Sequence, residues 1–255
     1  MPRPSYVEVD LNAIRRNVEH LRRTVSPAKV CVVVKADAYG HGDVPVAQAA
    51  LEAGADFLAV ALVQEGIRLR EAGITEPILL LIEPPLSDVG RVLQWDLMPS
   101  VQSREFVDAL AGTGRAVHLA VDTGMHRAGV DPDGATELAL HVIASGLVID
   151  GTWSHLPVAE EDDDYTVAQV DRFLMVLDEL RGAGIDPGMR HLANSAGALH
   201  HPGSRLDMVR AGIATYGLAP DPGRPDPDLT PAMRLVSTVG HVRALPADAR
   251  PSYGR

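Results

Sequence analysis

Apolar positions along the chain fall into two alternating rhythms. Short aliphatic runs bounded by glycine, proline or charge predict strands over residues 29–34, 57–61, 78–82, 97–100, 116–121, 148–154, 190–192 and 208–210. Between them, apolar residues at helical spacing predict helices over 44–52, 63–71, 104–111, 135–144 and 167–181. The strand runs are apolar nearly throughout, as in strands of a parallel sheet covered on both faces. Eight strands, each followed by a helix or a candidate for one, predict an α/β fold, a (β/α)8 TIM-type barrel. A further helix over 11–23 precedes the first barrel strand, with Asp10 as its N-cap.

After the eighth strand the pattern changes. Pro220, Pro222, Pro225, Pro227 and Pro231 remove backbone donors and fix φ, which predicts a linker over 221–231. Beyond it, 233–245 reads as a strand leaving the barrel. The predicted organisation is a barrel over 1–231 and the first strand of a second, truncated unit over 232–255. With 46% hydrophobic residues the chain can fill a large core, and with 4% aromatic residues that core is aliphatic. A net charge of -11 leaves no basic patch for nucleic acid or an anionic membrane. Cys31 has no partner for a disulfide, no N-terminal run resembles a signal peptide, and no run is long enough for a membrane span. These features predict a cytoplasmic protein.

Lys35 is the strongest candidate for chemistry. It follows Val30-Cys31-Val32-Val33-Val34, so its ammonium enters a place expected to be largely desolvated. Desolvation favours the neutral amine, the nucleophile that Schiff-base chemistry uses. Ala36-Asp37-Ala38-Tyr39-Gly40-His41-Gly42 then brings a phenol and an imidazole nearby. The plain alternative is a lysine that snorkels off a strand end. Other features carry less. The acidic run 160–164 reads as a solvated loop, His200-His201 as a surface loop, and Gly40-His41-Gly42 lacks the spacing of a phosphate-cradling fingerprint. No cluster suggests a metal site.

The segment Val33-Val34-Lys35-Ala36-Asp37-Ala38-Tyr39-Gly40-His41-Gly42 resembles the pyridoxal-phosphate attachment motif of the alanine racemases. The resemblance continues through Val121-Asp122-Thr123-Gly124-Met125, Arg127, Ser154-His155, His191-Leu192-Ala193-Asn194-Ser195 and 209–218, and covers nearly the whole chain, from Tyr6 to Arg255. It implies that Lys35 carries pyridoxal 5'-phosphate as a Schiff base and serves as one of two bases at the substrate α-carbon. Tyr39, Ser195 and the backbone of Gly212 and Ile213 would hold the phosphate, with Asn194 hydrogen-bonded nearby. Arg210 would face the pyridine nitrogen. Because a guanidinium keeps its proton, this gives a weaker electron sink than a carboxylate would. His155 would lie beside the cofactor and hydrogen-bond Arg210. Arg127 would meet the cofactor's phenolic oxygen and the carboxylate of the substrate, alanine. The implied role is supply of D-alanine for cell-wall peptidoglycan by a homodimer. All the motifs fall after predicted strands, where barrel enzymes keep their reacting groups.

Two departures from that pattern stand out. Ala120 occupies a position where relatives often have a lysine that helps hold the arginine, so Arg127 needs another anion or is less ordered. The second base, a tyrosine from a C-terminal β-domain of the partner subunit, has no counterpart among Tyr6, Tyr39, Tyr165, Tyr216 and Tyr253. The expectation is a racemase barrel without that domain, weak in activity and in dimer contacts. The alternative is a single-domain cofactor-handling protein of the same fold.

Overall fold

The alternation of short aliphatic runs and helical stretches closes on itself. A computed structural model of the protein describes residues 5–253. β1 (Ser5–Val9) and α1 (Leu11–Val25) come first. β2 (Lys29–Val33), α2 (Asp43–Glu52), β3 (Phe57–Val60), α3 (Val63–Glu71), β4 (Ile78–Leu80) and α4 (Val89–Gln94) follow. Then come β5 (Met98–Val101), α5 (Arg104–Leu110), β6 (Ala116–Ala120), α6 (Pro132–Ala144), β7 (Val148–Trp153) and α7 (Asp163–Gly182). β8 (Met189–His191), α8 (Ser195–His200), β9 (Met208–Ala211) and β10 (Met233–Ser237) complete the order. Strands β2 to β9 pair in parallel and in sequence order, and β9 returns to β2, so the barrel is closed. The predicted (β/α)8 fold is the fold observed.

The two-residue period of a strand sorts side chains between two layers. On β2, Val30, Val32 and Val34 face outward into the helical shell, while Cys31 and Val33 face the lumen with Phe57, Ala59, Leu79 and Met208. On β6, Val117, Leu119 and Val121 pack outward against α6 and α7. His118 and Ala120 therefore point into the lumen. That parity puts a polar group inside the barrel, which an apolar-run reading does not anticipate.

Five expectations need correction. The eighth strand is followed only by a short 3-10 turn, Ile213–Tyr216. The helix that completes the ring is α1, which packs against that turn, α2 and α8. Its buried stripe includes Ile14, Val18, Leu21 and Val25, each worth about 1.5–3 kcal/mol over exposure. Asp10 caps it as expected, accepting from the N–H groups of Asn12 and Ala13.

The proline-rich 221–231 segment is no free linker. Asn17 Nδ2 donates to the carbonyls of Thr215 and Thr230, and its Oδ1 accepts from Thr230 N–H. At Gly217, where φ is +83°, a Cβ would stand 1.8 Å from the Thr230 carbonyl oxygen. The segment is thus strapped down along α1.

The strand expected over 233–245 ends at Ser237 and pairs antiparallel with β1, which the apolar pattern did not reveal. β1 offers only five residues for pairing, and 238–245 have no strand partner.

The acidic run is half helix start: Asp162 accepts from Tyr165 N–H, and Asp163 and Asp164 occupy the first turn, where the helix dipole favours anions. His200 ends α8, and His201 is part-buried with Nε2 2.8 Å from the Ala159 carbonyl oxygen, so the pair is not a surface loop. Gly254 and Arg255, quoted for the resemblance, lie outside the described residues.

Candidate active site

Residues at the C-terminal ends of the barrel strands enclose a cavity of about 370 Å³. Lys35, Tyr39, Arg127, His155, Asn194, Ser195, Arg210, Gly212 and Ile213 all line it, so every site residue expected from the sequence reaches one place. Val33, Leu81, Trp153 and Ala196 contribute apolar wall, and Glu160 and Pro220 also line it. The elements responsible lie far apart in sequence, from the end of β2 to the turn after β9.

Lys35 is followed by an unusual backbone. Ala36, Asp37, Ala38 and Tyr39 all have φ between 51° and 55°, a left-handed turn built from residues with a Cβ. Each such residue costs roughly 1–2 kcal/mol. Surrounding contacts hold it in place. Glu65 accepts from Ala36 N–H with one oxygen, and from the N–H groups of Ala61 and Leu62 with the other. Asp37 Oδ1 accepts from Asp43 N–H. The turn reverses the chain directly after Lys35 and sets the Tyr39 ring against Tyr216, centroids 5.1 Å apart. Lys35 itself is half-buried, less than the largely desolvated place expected for it. Lys29 and Lys35 are the only lysines in the sequence, and Lys29 lies at the other end of β2, over the Phe57 ring.

Arg210 is 2% exposed and almost fully committed. Nη1 donates to His191 Nδ1 at 2.8 Å and to the His191 carbonyl at 3.1 Å. Nη2 donates to the Ser154 carbonyl at 2.7 Å and lies 3.2 Å from both His155 Nδ1 and the Leu192 carbonyl. The guanidinium carbon sits 4.6 Å from the Trp153 ring centroid, a cation–π contact. A guanidinium has five N–H donors, and only Nε–H has no protein partner among the described residues. Burial pulls Arg210 down to about 10, so it stays a cation at neutral pH. His155 is pushed to about 3, first by burial, then by Arg210, Arg127 and Lys35. It is therefore neutral, with Nδ1 accepting from Arg210 and Nε2 carrying the proton.

Across the cavity a set of anion donors is gathered. Ser195 Oγ accepts from the N–H groups of Gly212 and Ala214, which leaves its own O–H to donate. The Ile213 N–H has no partner among the described residues. A Cβ on Gly212 would stand 3.0 Å from Tyr39 Oη, so glycine lets the phenol close over this backbone. Burial raises the Tyr39 hydroxyl above its ordinary value, keeping it a donor. Asn194 has a different task from the one expected. Its Nδ2 donates to the Leu156 carbonyl and its Oδ1 caps α8 through Gly197 N–H, so its amide shapes the rim instead of facing the cavity.

Arg127 is exposed and makes no hydrogen bond or ion pair among the described residues. Asp122 does not supply the missing anion: its Oδ1 accepts from the N–H groups of Gly124, Met125 and His126. A pocket of about 30 Å³ separates Ala120 from Arg127. Of the tyrosines, only Tyr39 lines the cavity, since Tyr216 Oη donates to the Val33 carbonyl and Tyr165 Oη to the Gly124 carbonyl. Sequence reasoning missed Trp153, and it quoted His191 in a motif without giving it a role. Inward parity on β7 and β8 was the signal available.

Lys35, Arg127 and Arg210 line one cavity with His155 and their charges all act on it, in a chain of net charge -11. A barrel with cations, free N–H donors and a lone amine at its C-terminal rim defines a class: enzymes that bind a small anionic molecule there. The model of the alanine racemase N-terminal domain matches residues 9–220. An alanine racemase of Symbiobacterium thermophilum is 44% identical over 99% of this chain and 69% of its own length. The crystal structure of alanine racemase from E. faecalis superposes with a TM-score of 0.90 at 37% identity, covering 99% of this chain and 71% of that one. That of Bacillus anthracis alanine racemase with bound L-Ala-P gives 0.89 at 37% identity, covering 99% and 69%. The chain belongs to the alanine racemase family.

Proposed function

We propose that this cavity binds pyridoxal 5'-phosphate and that the protein uses it to interconvert L- and D-alanine. The observation that carries the reading is the convergence of Lys35, the free Nε–H of Arg210 and the donors around Ser195 on one cavity. That donor set suits a phosphorylated pyridine aldehyde: an amine for the aldehyde, a permanent donor for the ring nitrogen, and hydroxyl and amide hydrogens for the phosphate. The Gly212 backbone, open only because it lacks a Cβ, suits the close approach of phosphate oxygens.

When bound, the cofactor withdraws electrons and so acidifies the α-proton of an attached amino acid. The protein's own residues do the rest. Lys35 anchors the cofactor and takes or returns the α-proton from one face. Arg210, pinned through both Nη atoms, presents a hydrogen-bond donor that cannot give its proton away. Neutral His155 accepts from Arg210 and adds no further positive charge to the cavity. Arg127 receives the substrate carboxylate. Tyr39, Ser195 and the Ile213 N–H hold the phosphate beside the Gly212 backbone, whose own N–H is given to Ser195 Oγ, with Asn194 shaping the rim.

A small amino acid is thus the partner, and no helix among the described residues is long and apolar enough to cross a membrane. The free, buried thiol of Cys31 suits a cytoplasmic setting. The reading includes a barrel unit over 1–231, the start of a second unit at 232–255, and a homodimer. Apolar Leu62, Ile82 and Leu218, exposed on loops at the barrel's C-terminal end, favour a cover from elsewhere in the assembly. Full-length alanine racemase relatives, against which this chain aligns from end to end, favour this reading over a stand-alone cofactor carrier.

The test is deuterium incorporation at the α-carbon of L- and D-alanine in heavy water, with and without pyridoxal phosphate. Exchange should require both the cofactor and Lys35. Equal exchange by Lys35→Ala would overturn the reading.

A further inference from the structure

The lumen of the barrel holds a line of polar groups that the proposed chemistry does not use. Arg210 Nη1 is 2.8 Å from His191 Nδ1, and His191 Nε2 is 2.8 Å from His118 Nδ1. His118 Nε2 in turn lies 3.5 Å from Asp150 Oδ2, a long contact, and has no closer hydrogen-bond partner among the described residues. Both rings are 0% exposed. Hydrogen-bond chemistry fixes the direction of the whole line. Arginine only donates, so His191 Nδ1 must accept. The proton of neutral His191 is then on Nε2, which makes His118 Nδ1 an acceptor and puts the proton of His118 on Nε2, facing the carboxylate.

The surrounding backbone is shaped for this line. Val117 pairs with Ile149, but His118 pairs with Gly151, so Asp150 is the extra residue of a β-bulge. A bulge re-aims a side chain, and here it turns Asp150 toward His118. A Cβ on Gly151 would lie 2.6 Å from His118 Nδ1, so only glycine leaves room for the ring. A Cβ on Gly188 would lie 2.4 Å from the Asp150 carbonyl oxygen.

We propose that Asp150, on the lumen side away from the cavity, is a positioning residue for Arg210 and acts through His118 and His191. The role given to Arg210 rests on the function proposed above; the relay itself does not. An anion at the end of the line makes each imidazole a better acceptor for the next donor. Arg210 is thereby held by Nη1, and its Nε–H is left as the one donor for the cavity. Burial lowers both His118 and His191, so neither ring acquires a charge near neutrality. The charged groups near the line are Arg210, Asp150 and, beside Asp150, Lys29.

The experiment is ¹⁵N NMR of the 255-residue chain labelled at histidine and arginine, without cofactor. His118 and His191 should both show a protonated Nε2 and a bare Nδ1, unchanged through the range where a free imidazole titrates. A proton on Nδ1 of either ring, or titration of either, overturns the relay. Asp150→Ala should speed solvent exchange of the Arg210 Nε–H by about tenfold or more, as one end of a charge-assisted chain is lost. Asp150→Asn, which keeps an acceptor oxygen, should restore most of the protection. Exchange unchanged in Asp150→Ala would mean that Asp150 does not act on Arg210. If Asp150→Ala fails to fold, the wild-type proton pattern still decides whether the relay exists. A failure to bind pyridoxal phosphate would refute the function proposed above and leave these readings untouched.

Discussion

Tyr39→Phe separates cofactor binding from folding. The Tyr39 hydroxyl makes no hydrogen bond within the protein among the described residues, so its removal orphans nothing. The ring, which carries the packing against Tyr216, is retained. Phenylalanine also meets the same left-handed backbone strain as tyrosine, since both carry a Cβ. Without cofactor, the variant should therefore unfold within ~0.5 kcal/mol of the parent. Cofactor binding should suffer much more. A hydrogen bond from a neutral donor to a charged phosphate is worth about 1.5–3 kcal/mol. At about 1.4 kcal/mol per factor of ten, the dissociation constant for pyridoxal phosphate should rise roughly 10- to 150-fold. Fluorescence titration of the cofactor-free chain measures this, with thermal unfolding of the same sample as control. Inorganic phosphate should compete more weakly in the variant by a similar factor. An unchanged dissociation constant would place the phosphate elsewhere; a large loss of stability without cofactor would show that the hydroxyl has a structural partner after all.

Other consequences follow from the same geometry. Ala36→Gly should stabilise the chain by up to ~1 kcal/mol, because exposed Ala36 sits at φ 52° and glycine relieves the left-handed strain at some cost in chain entropy; denaturant unfolding checks the sign. Arg210→Glu should destabilise by about 3–5 kcal/mol, since a buried carboxylate would face the carbonyl oxygens of Ser154, His191 and Leu192, and calorimetry would show it as a lowered Tm. Asp207 is held below its ordinary value by Arg190, so its contribution is present above the usual carboxylate range and is lost as pH falls through the lowered value. Because the pair is about one-third exposed, Asp207→Asn should cost only ~0.5–1 kcal/mol at neutral pH, and the difference should vanish in acid. With Tyr39 as the only tyrosine on the cavity, the 255-residue chain should racemise alanine at least ~100-fold more slowly than a fusion carrying the remaining third of a relative, measured by enantiomer-resolved turnover.

The barrel strands were legible because each is a short aliphatic run, and their observed ends fall close to the expected ones. Lys35, Arg127, His155, Ser195 and Arg210 were legible through the motifs that resemble the alanine racemases, and the barrel supports them by placing all but Arg210, which lies within β9, just after a strand. What escaped depends on long-range packing. β1 is recognisable only through β10, more than two hundred residues away in sequence, and α1 becomes the eighth shell helix only because β9 ends in a 3-10 turn. Nothing in the identities Ala36, Asp37, Ala38 and Tyr39 announces a left-handed turn, since contacts from Glu65 and Asp43 impose it. The line from Arg210 to Asp150 was hidden by strand parity and by a bulge that no local pattern encodes. Asn194 lies on the cavity wall and is hydrogen-bonded there, but that its side-chain amide caps α8 was not legible.

The account stands most directly on Lys35. Pyridoxal phosphate added to the chain, followed by borohydride reduction and peptide mapping by mass spectrometry, places the cofactor on a residue. The sequence offers only Lys29, exposed at the far end of β2, as a rival lysine. One phosphopyridoxyl group per chain on Lys35, absent from Lys35→Ala, is the predicted result. A label on Lys29, or on no single residue, would contradict it.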